Sequence, residues 1–72
     1  MKVQDTKDRR KVEAIKKHSL ALVREGKAEE VLNWDKESTW HNSKFKNLES
    51  GQEWVVYLAD HAWPGEVKII EQ

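Results

Sequence analysis

Residues 6–25 carry the clearest periodic pattern in this chain, that of one amphipathic helix. Apolar or small side chains recur there at helical spacing and share a stripe about 100° wide: Val12, Ile15, Ser19, Leu22 and Val23. A helix with such a stripe is stable only when the stripe is buried against another layer of the domain. The rest of the chain must therefore supply an apolar surface that fits it.

The ends of this helix are also signalled in the sequence. Asp5 is predicted as the N-cap, and Asp8 stands three residues later, as in an imperfect capping box. Gly26 stands where a residue of left-handed conformation commonly ends a helix, with Arg24 in the last turn. Residues 1–5 have no predicted packing partner, so we expect this terminus to be frayed.

The run Glu53–Ala59 predicts a strand that is apolar on both faces. Trp54, Val56 and Leu58 alternate with Val55, Tyr57 and Ala59, which is typical of a central strand. A helix over residues 52–62 is the alternative, because Ser50 and Glu53 form a capping-box pattern. The succession of β-branched and aromatic residues favours the strand.

Two further strands are predicted on either side of this one. Phe45–Leu48 precedes it and Val67–Ile70 follows it, which gives an antiparallel meander of about three strands. The loop 49–52 has Gly51 at the position that needs a positive φ, and residues 63–66 form a Pro-Gly turn.

The segment between the helix and the meander has no clear period. Ala28–Trp34 fits either two short helical turns or an edge strand, and we predict the helical turns. Residues 35–43 are rich in turn formers and are predicted as a loop that contains Trp40. Together these elements predict an α+β fold, a long N-terminal helix packed on a small antiparallel sheet, with residues 6–72 as one domain.

The predicted core is small for the length of the chain. It joins the helix stripe to strand residues that face it: Trp54, Val56, Leu58, Val67 and Ile69. Ordering 72 residues costs more than this burial returns. We therefore predict that further apolar residues are buried in the core or covered by a partner: Val31, Leu32, Trp34, Phe45 and Leu48. Homodimerisation through the sheet edge or the second face of the central strand would provide such cover.

Charge is unevenly distributed, although the formal net charge is zero. Residues 1–18 carry seven cationic side chains against three carboxylates, a balance of +4. Residues 28–72 carry four against nine, a balance of −5, and contain all four tryptophans. An acidic body joined to a basic segment indicates an interaction surface.

The sequence lacks the signals of several functional classes. It has no cysteine for disulfides or thiolate-bound zinc, and its three histidines share no ligand spacing. It has no glycine-rich phosphate loop and no nucleophile or metalloprotease motif. The longest apolar run, 54–59, is far shorter than the roughly 20 residues of a membrane span, and the charged first residues lack the apolar region of a signal peptide. We expect a cytoplasmic, non-enzymatic protein without metal, cofactor or membrane segment.

A protein partner is the first expectation for function. Trp40 lies in a polar loop and Trp63 precedes the Pro-Gly turn, so neither is required in the core by strand or helix periodicity. Tryptophan dominates the energetics of many protein interfaces. Asp60 and Glu66 would surround Trp63 with negative charge and favour a basic partner surface.

Nucleic acid is the alternative partner. Arg10, Lys17 and Arg24 recur at intervals of seven opposite the apolar helix stripe, where they could neutralise phosphates. Lys44 and Lys46 lie in a segment, Trp40–Lys46, in which aromatic and cationic residues are interleaved. That chemistry is typical of a platform on which single-stranded bases stack.

Overall fold

A computed structural model describes residues 3–59 and 62–70 of the chain. Within these residues, one helix packs on one antiparallel sheet of four strands in the spatial order β1-β2-β3-β4. The elements are α1 Arg9–Arg24, β1 Ala28–Leu32, β2 Asn42–Asn47, β3 Glu53–Tyr57 and β4 Glu66–Ile70. The predicted α+β class is confirmed, with four strands rather than about three.

The additional strand is β1, and the prediction of helical turns over Ala28–Trp34 was wrong. Ala28–Leu32 instead pairs with β2 along its whole length, from Ala28 opposite Asn47 to Leu32 opposite Ser43. The short segment has no apolar period of its own, so its conformation is decided by the ladder that β2 offers.

The N-cap of helix α1 is Asp8 and not Asp5 as predicted. The Asp8 carboxylate accepts hydrogen bonds from the backbone N–H groups of Arg10 (2.9 Å) and Lys11 (3.2 Å), as an N-cap residue does. The Asp5 carboxylate instead accepts a hydrogen bond of 2.7 Å from the backbone N–H of Ile69 in β4.

Residues 3–6 of the N-terminal segment pack against the sheet, whereas residues 1 and 2 of the terminus predicted to be frayed lie outside the described residues. Thr6 exchanges two backbone hydrogen bonds with Val67, of 3.1 and 2.9 Å. Val3 is only 4% exposed and belongs to the core. Thr6 and Asp5 find their partners in β4, more than sixty positions away in the sequence, so no local pattern could reveal these contacts.

The helix ends as the sequence predicts. Gly26 has a φ of +75°, and the N–H groups of Gly26 and Lys27 donate to the carbonyls of Val23 and Leu22 at 3.1 and 2.8 Å. This pair of bonds is the Schellman arrangement, which reverses the chain directly into β1.

The core lies between α1 and one face of the sheet, which we call the helix face. Its buried members are Val3, Val12, Ile15, Phe45, Trp54, Val56 and Val67, with Leu20, Leu22, Val23 and Ile69 packed at its margin. Four of the residues predicted to be buried in the core or covered by a partner are exposed in the single chain: Val31, Leu32, Trp34 and Leu48. Of the five additional residues predicted, Phe45 alone is in the core.

Strand β3 is buried on both faces, as predicted. Trp54 and Val56 meet the helix, whereas Val55 and Tyr57 lie on the opposite face, which we call the open face.

Helix α1 is not long and apolar enough to cross a membrane, and no other helix occurs among the described residues.

Candidate functional site

The open face bears an acidic aromatic pocket at the end where β3 finishes and β4 begins. The cavity has a volume of about 360 Å³. It is lined by Asp35, Glu37, Ser38, Trp40, Tyr57, Trp63, Glu66 and Lys68. The walls come from two loops, one joining β1 to β2 and the other joining β3 to β4, and the floor comes from the strands.

The β1–β2 loop is held in place by a buried asparagine. Asn42 is 3% exposed, and its side-chain amide donates to the carbonyls of Asp35 and Trp40, both at 3.0 Å. Its side-chain oxygen accepts from the backbone N–H of Asp35 at 2.8 Å. Because one rigid side chain satisfies three backbone groups, the loop keeps a defined shape.

Asp35 connects this loop to the central strand. One carboxylate oxygen accepts from the hydroxyl of Tyr57 at 2.8 Å, and the other accepts from the backbone N–H of Glu37 at 3.2 Å. The pKa of Tyr57 is raised to about 12, first by burial and then by its hydrogen bond to Asp35 and the negative charges of Asp35 and Glu66. Tyr57 therefore remains a protonated hydrogen-bond donor to Asp35 even above pH 10.

Three aromatic rings meet at the pocket. The rings of Trp40 and Trp63 stack with centroids 4.7 Å apart and an angle of 26° between their planes. Tyr57 meets Trp63 edge to face at 6.3 Å. Arg9 donates to the backbone carbonyl of Trp63 at 3.3 Å and so ties the second loop to the start of α1. Mutual packing leaves Trp40 36% exposed and Trp63 half-buried.

The electrostatic character of the pocket is negative. Among the described residues, its lining includes the carboxylates of Asp35, Glu37 and Glu66 and one cation, Lys68. The Lys68 ammonium lies 5.4 Å from the centre of the Tyr57 ring, in a cation–π arrangement at the margin. Carboxylates and the negative faces of aromatic rings both attract cations, so the pocket suits a positively charged group.

The structure brings three of the four predicted partner-binding residues together. Trp40, Trp63 and Glu66 line the same pocket, whereas Asp60 lies outside the described residues. Sequence reasoning missed Asp35 and Tyr57, which connect the pocket to the sheet. The available signal was a tyrosine in an otherwise apolar strand, because a buried hydroxyl needs a hydrogen-bond partner.

The residues of the nucleic-acid alternative lie on opposite sides of the sheet. Arg10, Lys17 and Arg24 are exposed on α1, whereas Lys44 and Lys46 alternate with the core residue Phe45 and so lie on the open face. Lys44 is also paired with Glu53 at 2.6 Å and lies 5.8 Å from the centre of the Trp34 ring. The two basic sets do not form one continuous patch.

Metal chemistry has no geometric support in the described part of the chain. Nowhere in residues 3–59 and 62–70 do three His, Asp or Glu side chains converge in a way that could hold an ion. Comparison of the chain with protein-family models, with curated proteins and with solved structures finds no match.

The ionisation of Tyr57 gives a direct test of the pocket's geometry. The chain has one tyrosine, so the ultraviolet absorbance of tyrosinate reports this residue alone. Folding raises its pKa from 10.0 to about 12, so its stabilising effect is complete below pH 10 and is lost as the pH rises towards 12. We expect the folded protein to titrate well above pH 10.

Two variants test the cause of this pKa shift and its effect on stability. Asp35→Asn keeps a hydrogen-bond acceptor but removes the negative charge, so the pKa of Tyr57 should fall towards 10. Tyr57→Phe has no hydroxyl to ionise, so its free energy of unfolding should fall less than that of the wild-type protein as the pH rises from 10 towards 12. Urea unfolding at several pH values measures this difference. An apparent pKa of about 10 in the folded wild-type protein would contradict the burial of Tyr57 and its hydrogen bond to Asp35.

Proposed function

We propose that this chain is a non-enzymatic interaction module that binds a basic segment of a partner protein in the acidic aromatic pocket. The observation that carries the proposal is the juxtaposition of the stacked Trp40 and Trp63 with the carboxylates of Asp35, Glu37 and Glu66. Protein-interface hot spots combine such aromatic anchors with a polar rim.

The stacked rings of Trp40 and Trp63 favour binding because they are already ordered before a partner arrives. Trp40 is fixed by its stack on Trp63 and by the hydrogen bonds of its loop to Asn42. Its backbone N–H also donates to the side chain of Ser38 at 3.1 Å. Rings that are held before the partner arrives lose little conformational entropy on binding, so more of the contact energy appears as affinity.

The charges define the chemistry of the partner. An arginine side chain can stack its planar guanidinium on an indole and donate two parallel hydrogen bonds to a carboxylate, which lysine cannot do. The exposed fraction of Trp40 and the nearby carboxylate of Glu37 offer both interactions. We therefore favour an arginine-containing segment as the occupant of the pocket.

Affinity capture from a lysate of the native host, with and without nuclease, would first identify a partner. Calorimetry with the purified partner then measures the variants. Trp40→Ala and Glu66→Lys should each weaken binding about tenfold or more, the scale of a hot-spot contact. Trp34→Ala is the matched control, because Trp34 is 44% exposed but does not line the pocket.

The salt dependence distinguishes charge recognition from apolar contact. Binding should weaken as salt is raised, because exposed charges are screened over about 10 Å at 0.1 M salt. Capture that disappears after nuclease treatment would favour the nucleic-acid alternative, with Arg10, Lys17 and Arg24 as the first residues to replace by glutamate. Equal losses in Trp34→Ala and Trp40→Ala would also contradict the proposal.

A further inference from the structure

The two edges of the sheet differ in what covers them. The outer edge of β4 is covered by the N-terminal segment, through the backbone bonds of Thr6 and the carboxylate of Asp5. The outer edge of β1 has no such cover from any part of the chain that the structure describes. An uncovered edge strand offers backbone N–H and C=O groups to another strand.

The register identifies which backbone groups of β1 point outward. Lys27 accepts from Leu48, and Asn33 donates to Asn42, so odd-numbered residues bond to β2. Bonding alternates along an antiparallel pair. The backbone groups of Glu30 and Leu32 therefore face away from the sheet.

Exposed apolar side chains lie on both faces of this edge. Val31 is 48% exposed on the open face, and Leu32 is 71% exposed on the helix face. Beside Leu32, a mainly apolar groove of about 200 Å³ runs between α1 and the sheet. The groove is lined by Lys16, Leu20, Glu30, Leu32, Ser43, Phe45, Val56 and Leu58.

We propose that two copies of this chain pair antiparallel through β1 and form one continuous sheet across a two-fold axis. Each copy supplies both an exposed leucine and the groove next to it, so the edge is complementary to itself. The core of the single chain is small for its length, and the dimer interface would bury additional apolar surface, that of Val31 and Leu32 of both copies.

Charge selects the register of the pairing. A register with Glu30 opposite its own copy would bring two carboxylates together, which is unfavourable. A shift that places Val31 on the axis instead sets Val31 opposite Val31 and Glu30 opposite Leu32 of the second copy. In that register each Glu30 lies beside Leu32 of the other copy, at the margin of the groove, and the two Glu30 carboxylates no longer face each other.

Sedimentation equilibrium measures the mass directly. We expect wild-type protein to approach twice the mass of the 8.5 kDa chain as its concentration is raised to the millimolar range. Val31→Lys should abolish this dimer, because it places two cations on the axis. Leu48→Lys is the matched control, because Leu48 is 49% exposed but lies outside β1, and it should leave the dimer intact.

Disulfide mapping tests the register, since the chain contains no cysteine. Val31 would form a non-hydrogen-bonded pair across the axis, with Cα atoms about 4.5 Å apart, a distance that a disulfide spans. Val31→Cys should therefore cross-link rapidly under mild oxidation, and Leu48→Cys should not. Cross-linking by Glu30→Cys in place of Val31→Cys would overturn the register. A wild-type monomer at millimolar concentration, or a dimer that survives Val31→Lys, would overturn the proposal.

Discussion

Replacing Trp54 by alanine is expected to remove most or all of the stability of the fold at room temperature. Trp54 is 1% exposed and stacks on Phe45 with ring centroids 6.1 Å apart. Deleting a buried aromatic side chain costs about 3–5 kcal/mol. The total stability of a small domain starts at about 5 kcal/mol, so little or none would remain.

Circular dichroism in urea measures this loss without relying on the removed fluorophore. Trp34→Ala serves as control, since Trp34 is 44% exposed and its truncation should cost less than about 1 kcal/mol. Comparable costs for the two variants would contradict the central position of Trp54 in the core.

A buried polar contact adds to the cost at this position. The indole N–H of Trp54 donates to the hydroxyl of Ser19 at 2.9 Å, and that hydroxyl donates to the carbonyl of Ile15 at 2.7 Å. Ser19→Ala keeps the packing but leaves the indole N–H without its partner, at a cost of about 1–3 kcal/mol. Wild-type stability in Ser19→Ala would show that this bond contributes nothing.

The elements with a strong local period were predictable from the sequence. The stripe of α1 contains Val12, Ile15 and Ser19, and these are the helix residues that the structure buries. Strand β3 was predictable because its side chains are apolar on both faces, which only a central position accommodates. In both cases the signal repeats over several residues and does not depend on distant partners.

Edge elements were not predictable in the same way. Strand β1 contains Glu29 and Glu30 beside Val31 and Leu32, a pattern without the alternation of a half-buried strand. Its pairing with β2 decides its conformation. Of the two alternatives predicted for Val31 and Leu32, burial in the core of the chain or cover by a partner, the structure excludes the first, because the edge turns both side chains towards solvent.

The candidate site was predictable only in part. Trp40 and Trp63 could be selected because no helix or strand period placed them in the core. Their stacking required knowledge that the two connecting loops meet at one end of the sheet. The bond from Tyr57 to Asp35 spans 22 positions of sequence, and Asn42, which orders the loop, resembles any other polar residue in a turn-rich segment.

Gly65→Ala is expected to destabilise the fold far more than the same change at Gly51. Both glycines have a positive φ, of +86° and +78°, which costs an L-residue about 1–2 kcal/mol. At Gly51 an added Cβ meets no atom within 4 Å. At Gly65 it would lie 2.7 Å from the carbonyl oxygen of Tyr57 and 3.1 Å from a methyl carbon of Val12.

The difference between the two variants isolates the steric contribution, because the backbone penalty is shared. We expect Gly51→Ala to cost about 1 kcal/mol and lower the melting temperature by roughly 4–8 °C. Gly65→Ala should cost about 3 kcal/mol or more, because the carbonyl of Tyr57 is backbone in a central strand and cannot move aside. Equal melting temperatures would contradict the close approach at Gly65.

The same substitution links the fold to the pocket. Gly65 stands between Trp63 and Glu66, both of which line the pocket, and it contacts the backbone of Tyr57, which forms part of the floor. A loop displaced by a methyl group at Gly65 would carry Trp63 away from Trp40, so the stack should loosen even in molecules that remain folded. Acrylamide quenching of tryptophan fluorescence below the melting transition should therefore increase in Gly65→Ala and remain at the wild-type level in Gly51→Ala. Unchanged quenching in a folded Gly65→Ala protein would show that the pocket does not depend on this turn.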